Sequence, residues 1–193
     1  VICSSSGCRV NRRGLATRRL LYTGRRQTVR QIIGMGVAGS GKTAVGRALA
    51  EALGWSFLEG DDFHPASNVA KMSEGVPLDD ADREPWLAAL HKMLVMHEET
   101  GAKCVLSCSA LKRSYREQLQ SGLNATRFVY LDVSREVLET RLARRPGHFM
   151  KADMLDSQLA ALEVPGEHEA LHVAGDRTVQ AIVEDIVSQL VPG

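Results

Sequence analysis

The sequence predicts an α/β fold in three layers, a five-stranded parallel sheet with helices on both faces. Three observations predict it. Apolar runs too short for helices alternate with longer stretches whose apolar residues recur at i, i+3, i+4 and i+7, the pattern of strand and helix repeats around a parallel sheet. The first run, Ile32-Ile33-Gly34-Met35, leads straight into Gly36-Val37-Ala38-Gly39-Ser40-Gly41-Lys42-Thr43, which matches G-x-x-x-x-G-K-[ST] at every fixed position. A chain of 193 residues, 44% of them hydrophobic, can bury one substantial core, so one domain is expected.

The octet sits between a strand and a helix, the context its chemistry requires. Val45, Ala48, Leu49 and Ala52 mark the helix and Gly54 its C-cap. Glycines let successive backbone N–H groups turn inward around a phosphate chain. Lys42 then reaches the β- and γ-phosphates, the Thr43 hydroxyl can ligate Mg²⁺, and the helix adds its positive end. Residues Gly36 to Thr43 are therefore expected to hold a triphosphate.

Trp55 to Glu59 reads as a second strand, buried in the sheet, ending in Gly60-Asp61-Asp62-Phe63-His64-Pro65. Ligands of open α/β sheets gather beyond the carboxyl ends of the strands, which makes Asp61 and His64 candidates. Turn capping by Asp61 and a packed imidazole at His64 are the structural alternatives. About 62–100 is an excursion too long for a simple crossover, polar and turn-rich until Leu87, Leu90 and Leu94 restore helical periodicity, and it reads as a substrate-covering segment. Lys103 to Ser107 is the third strand. A helix follows with Leu111, Tyr115 and Leu119 on one side and Lys112, Arg113 and Arg116 offered to an anion or to solvent.

Arg127 to Asp132 is the fourth strand, and Ser134 caps a helix through Val137, Leu138, Arg141 and Leu142. That helix breaks at Arg144-Arg145-Pro146-Gly147, where cations either offset the helix C-terminus or swing over a nucleotide as a lid, about 143–156. Leu155, Gln158, Leu159 and Leu162 mark a return helix and Ala170 to Ala174 the fifth strand. The last helix carries Val179, Ile182, Val183, Ile186, Val187 and Leu190 on one stripe, expected to be core.

Charge is unevenly placed. Residues 1–30 hold eight Arg and no acid, so the other residues carry 16 Lys and Arg against 23 Asp and Glu. Residues 1–28 read as a disordered basic extension ahead of a domain at 29–193. A cleaved organellar transit segment, a solvated tail and a nucleic-acid-binding arm are its three readings. No apolar run is long enough to span a bilayer. Cys104 and Cys108 read as buried, reduced thiols rather than metal ligands, which suits a reducing compartment. The cytoplasm is expected, or the mitochondrion or plastid if the extension is a transit segment.

Beyond the phosphate loop, the chain shows Gly60-Asp-Asp-Phe-His-Pro65, Asn68 with Lys71-Met72, Pro77-Leu78-Asp79, Asp82-Arg83 and Pro85-Trp86-Leu87. Further on stand Cys108-Ser-Ala-Leu-Lys112 with Tyr115-Arg116, Arg145 with Gly147-His-Phe149, Ser157-Gln158, Leu162-Glu163 and Pro165. In this order and spacing, over about residues 31–190, the chain resembles the P-loop gluconokinases, related in fold to shikimate and adenylate kinases. Thr43 stands where Ser is common, and Pro146 precedes the lid glycine. The resemblance implies a P-loop kinase fold, a homodimer, and ATP- and Mg²⁺-dependent phosphorylation of D-gluconate at its 6-hydroxyl. It implies Asp61 as base or positioner of the attacking hydroxyl, and His64, Lys71, Arg83, Lys112 and Arg116 as candidates for the gluconate hydroxyls and carboxylate. Arg141 and Arg145 would meet the nucleotide. A kinase for another small metabolite, or a nucleotide-dependent nucleic-acid-binding module, are the rival readings, and the acidic remainder of the chain counts against the second.

Overall fold

The computed structural model describes residues 28–144 and 152–191; the basic extension up to residue 27, Arg145 and half of the expected lid therefore lie outside the described residues. Among the described residues the strands are β1 (Gln31–Met35), β2 (Ser56–Glu59), β3 (Cys104–Ser107), β4 (Thr126–Asp132) and β5 (Ala170–Ala174). The helices are α1 (Lys42–Leu53), α2 (Ala66–Ser73), α3 (Asp80–Thr100), α4 (Arg113–Gln120), α5 (Arg135–Ala143), α6 (Ala152–Ala161) and α7 (Val179–Leu190). The sheet order is β2-β3-β1-β4-β5, with every pair parallel.

Strand alternation sorts the core into the expected layers. Ile33, Met35, Cys104, Leu106, Phe128 and Tyr130 face Trp86, Leu87, Leu90 and Leu94 of α3 and Tyr115 and Leu119 of α4. Ile32, Val105, Val129 and Leu131 face Val45 and Leu49 of α1 and Ile182, Val183 and Ile186 of α7. Fully burying one such aliphatic side chain contributes about 1.5–3 kcal/mol. A third cluster, with Val37, Leu111, Leu138 and Leu155 at its centre, packs α5 and α6 against the loops beyond the strands.

The chain leaves β1 toward β2 on one side and leaves β3 toward β4 on the other. The loops after β1 and β3 therefore diverge, opening a crevice at the carboxyl edge, as expected at a topological switch point.

Three expectations need correcting. β2 is an edge strand with Ser56 exposed, not a buried one, because its pairing runs to β3 alone. The excursion is more helical than its composition suggests: Asp79 accepts from the Asp82 amide at 2.8 Å while the Asp79 amide donates to Asp82 Oδ2 at 3.1 Å, a capping box that starts α3 ahead of Pro85. Pro85 lies early in that helix, so only the bond to the Ala81 carbonyl is forgone. Val179, the first residue of α7, is exposed rather than core. Cys104 and Cys108 are buried free thiols whose burial pushes both pKa values up to about 12, which makes them poor nucleophiles.

Candidate active site

The phosphate loop follows β1. Gly36, Gly39 and Gly41 adopt φ of 143°, 83° and 97°, a region side chains disfavour. At Gly36 a Cβ would also lie 2.9 Å from Ser40 Oγ and 3.2 Å from the Leu131 carbonyl oxygen. Lys42 Nζ donates to the Val37 carbonyl at 3.0 Å, folding its cation back over the loop. Arg141 on α5 donates to the carbonyls of Gly39 and Ser40 at 3.4 and 3.3 Å and of Gly175 at 2.8 Å, so it stands against the loop.

A cleft of about 560 Å³ opens beside this loop, lined by Lys42, Thr43, Glu59, Asp61, His64, Arg83 and Gln158 among others. A second lobe of about 480 Å³ adjoins it, lined by Asp80, Arg83, Lys112, Tyr115 and Gln158 among others. Leu78, Arg83, Ser157 and Gln158 line both.

Asp61 is presented by a 3₁₀ turn, Gly60–Phe63, at the end of β2. Gly60 is required there: a Cβ would sit 2.3 Å from the Ser107 carbonyl oxygen. Trp86 Nε1 donates to the Gly60 carbonyl at 2.8 Å and fixes the turn from below. Asp61 and Asp62 are both exposed, but only Asp61 lines the cleft.

His64 stacks on Trp86, ring centroids 4.3 Å apart and planes 13° apart. Burial lowers its pKa below 6.5, the Asp61 charge opposes this, and Arg83 adds to the lowering. The imidazole is neutral at pH 7. The unfolded chain therefore binds the proton first as pH falls through about 6.5, so His64 costs stability below that pH and not above it. Urea midpoints measured from about pH 7.5 to 5.5 should fall more steeply for the parent than for His64→Phe, which keeps a ring on Trp86. Parallel slopes would show that His64 titrates as it does in the unfolded chain.

The other cations divide. Arg83 lines both lobes, donates to the Leu78 carbonyl at 3.3 Å and lies 5.9 Å from the Tyr115 ring centroid. Lys112 lines the second lobe, paired with both oxygens of Asp80 at 2.7 Å, and Asp80 also accepts from the Tyr115 hydroxyl. Lys71 is not a lining residue: it meets Asp82 at 2.6 Å and ties α2 to α3.

Arg116 departs from its predicted role. It is 4% exposed and donates to the carbonyls of Ala110, Leu111 and Glu163 at 3.3, 3.1 and 3.0 Å. Ala110 stands at φ 43°, a conformation costly for a residue with a Cβ. Nη1 thus holds that turn, beside Ser109, whose carbonyl accepts from the Gly36 amide at 3.2 Å, while Nη2 lies 3.6 Å from Glu169 Oε1. Predicted Arg145 lies outside the described residues.

Sequence reasoning passed over Glu59, Ser109, Leu78 and Gln158 as lining residues. Glu59, as the last residue of a strand, carried the same positional signal as Asp61. Gln158 carried a place in a helical pattern and in the Ser157-Gln158 pair of the family resemblance, neither of which gave it a role.

Comparison with known proteins decides the family. Residues 32–165 match a family described as AAA domain. The chain is 51% identical to the gluconokinase of Gluconobacter oxydans (strain 621H), over 82% of this chain and 89% of that protein. The chain belongs to the gluconokinase family. A probable gluconokinase of Xenopus tropicalis is 43% identical over 82% of this chain and 92% of its own length. The crystal structure of a gluconokinase from Sinorhizobium meliloti 1021 superposes with a TM-score of 0.77 at 46% identity, covering 86% of this chain and 93% of that one. A P-loop kinase fold, and an enzyme of the gluconokinase class, are thereby established for the chain. The nucleic-acid module is set aside.

Proposed function

We propose that this chain transfers the γ-phosphoryl group of ATP to the 6-hydroxyl of D-gluconate, giving 6-phosphogluconate and ADP. The observation that carries the reading is the two-lobed cleft: a phosphate cradle at one end, cations at the other, and Asp61 beside the cradle. An elongated hydroxy acid fits this division. Its terminal hydroxyl lies toward Asp61 and the phosphate loop, and its carboxylate toward Arg83 and Lys112. Arg83 is the stronger candidate for the carboxylate, since Lys112 is already paired with Asp80.

Phosphoryl transfer demands alignment and charge neutralisation more than strong base chemistry. Lys42 neutralises the β/γ oxygens, and Asp61 accepts a hydrogen bond from the attacking hydroxyl and takes up its proton as the bond to phosphorus forms. Neutral His64 can donate to or accept from an acceptor hydroxyl. Arg141 supports the phosphate loop and meets the nucleotide, joined by Arg145 in this reading.

The donors suit Mg²⁺: Thr43 would hold it by its hydroxyl, and Glu59 lines the same cleft as a carboxylate for its water shell. When bound, the ion offsets charge on the phosphate oxygens. Among the described residues no cluster of three or more His, Cys, Asp or Glu could hold a metal. No described helix is long and apolar enough to cross a membrane. Family resemblance supports a homodimer, and the buried free thiols support a reducing compartment such as the cytoplasm.

An acceptor panel tests the reading. ADP release with ATP and Mg²⁺ should rise with D-gluconate far more than with other sugar acids, polyols or shikimate. A larger response to another acceptor would move the chain to a different substrate within the same fold.

A further inference from the structure

Gln158 lies on α6, which Leu155, buried against the cluster of Val37, Leu111 and Leu138, fastens to the phosphate loop and α5. Arg135 of α5 pairs with Asp156, a second tie on the same helix. Gln158 is thus presented from a braced element rather than a free loop. Its Oε1 accepts from the Ala38 backbone amide at 2.7 Å. A backbone N–H can only donate, so this bond fixes the orientation of the carboxamide. The Nε2 group, with two N–H donors, is left on the other side. Among the described residues no protein group accepts from it, and Gln158 lines both lobes where they meet.

We propose that Gln158 is an acceptor-binding residue that also braces the phosphate loop, its Oε1 on Ala38 and its Nε2 donating to a mid-chain hydroxyl of the polyhydroxy acid. This rests on the gluconate reading above and deepens it. One rigid amide would then set the acceptor chain in register with the phosphate cradle, so that the terminal hydroxyl meets the γ-phosphoryl group in line. A polar group built to pair with a substrate hydroxyl also discriminates against acceptors lacking it, because a bound acceptor would then cover the amide without pairing it.

The test separates the two halves of the amide. Gln158→Glu keeps an oxygen for the Ala38 amide but loses the donor; Gln158→Ala loses both. KM for gluconate should rise roughly tenfold or more in each, as for a lost hydrogen bond to a substrate. Affinity for a non-hydrolysable ATP analogue should fall in Gln158→Ala, which loses the loop brace, by less than the KM for gluconate rises. Hydrogen exchange at the Ala38 amide should quicken in Gln158→Ala and stay slow in Gln158→Glu, a readout that needs no substrate. An active parent whose KM for gluconate is unmoved in both variants overturns this proposal alone, as does equal Ala38 exchange in all three proteins. A parent inert toward gluconate overturns the functional reading and the proposal with it.

Discussion

Lys42→Met should lower turnover by about 10²-fold or more while the protein still folds, because a preorganised charge aimed at developing phosphate charge contributes on that scale. In the structure the ammonium folds back to the Val37 carbonyl at 3.0 Å, within the same loop that cradles the phosphates. Methionine matches the length of the stem and removes the cation. Losing the bond to Val37 costs stability about 0.5–1.5 kcal/mol, a melting shift of only a few degrees for a chain of this size. Steady-state rates and thermal melts on the same preparation check both halves. Turnover within tenfold of the parent would remove Lys42 from the chemistry.

Asp61→Asn should likewise lower turnover by roughly 10²-fold or more, with affinity for the nucleotide little changed. The substitution keeps shape and hydrogen bonding but removes the charge that orients the acceptor hydroxyl and takes its proton. Asp62→Asn is the internal control. Asp62, unlike Asp61, does not line the cleft, so its variant should behave as the parent. If Asp62→Asn is the inactive one, the 3₁₀ turn presents the wrong carboxylate in this account. If Asp61→Asn loses ATP binding outright, Asp61 belongs to the nucleotide site instead.

The parallel sheet and the phosphate loop were legible because local rules write them directly: buried strands as apolar runs, the loop as glycines at fixed spacing before a helix. β2 was read as buried because Phe57 and Leu58 are apolar, yet strand order is a long-range property that a run of residues does not encode. The helical nature of the excursion was hidden by Pro85 and by charged residues, although the Asp79 and Asp82 pair was a capping signal in plain view. Among the site residues, Asp61 and His64 follow a strand end and line the cleft, because the fold puts every strand's carboxyl end at one edge. Arg116 was misjudged since sequence shows a cation but not the carbonyls that consume it. Gln158 was missed as a site residue because its bond to Ala38 spans 120 positions, a separation that periodicity does not reveal.

The central claim is that one cleft joins an ATP phosphate cradle to a hydroxy-acid lobe so that the terminal hydroxyl is phosphorylated. Phosphorus NMR of the products from ATP, Mg²⁺ and D-gluconate tests this most directly. The account predicts one new phosphomonoester, its phosphorus coupled to the two protons of the gluconate terminal methylene, formed in step with ADP. A phosphate on a secondary carbon, or ADP and free phosphate with no phosphorylated gluconate, would contradict it.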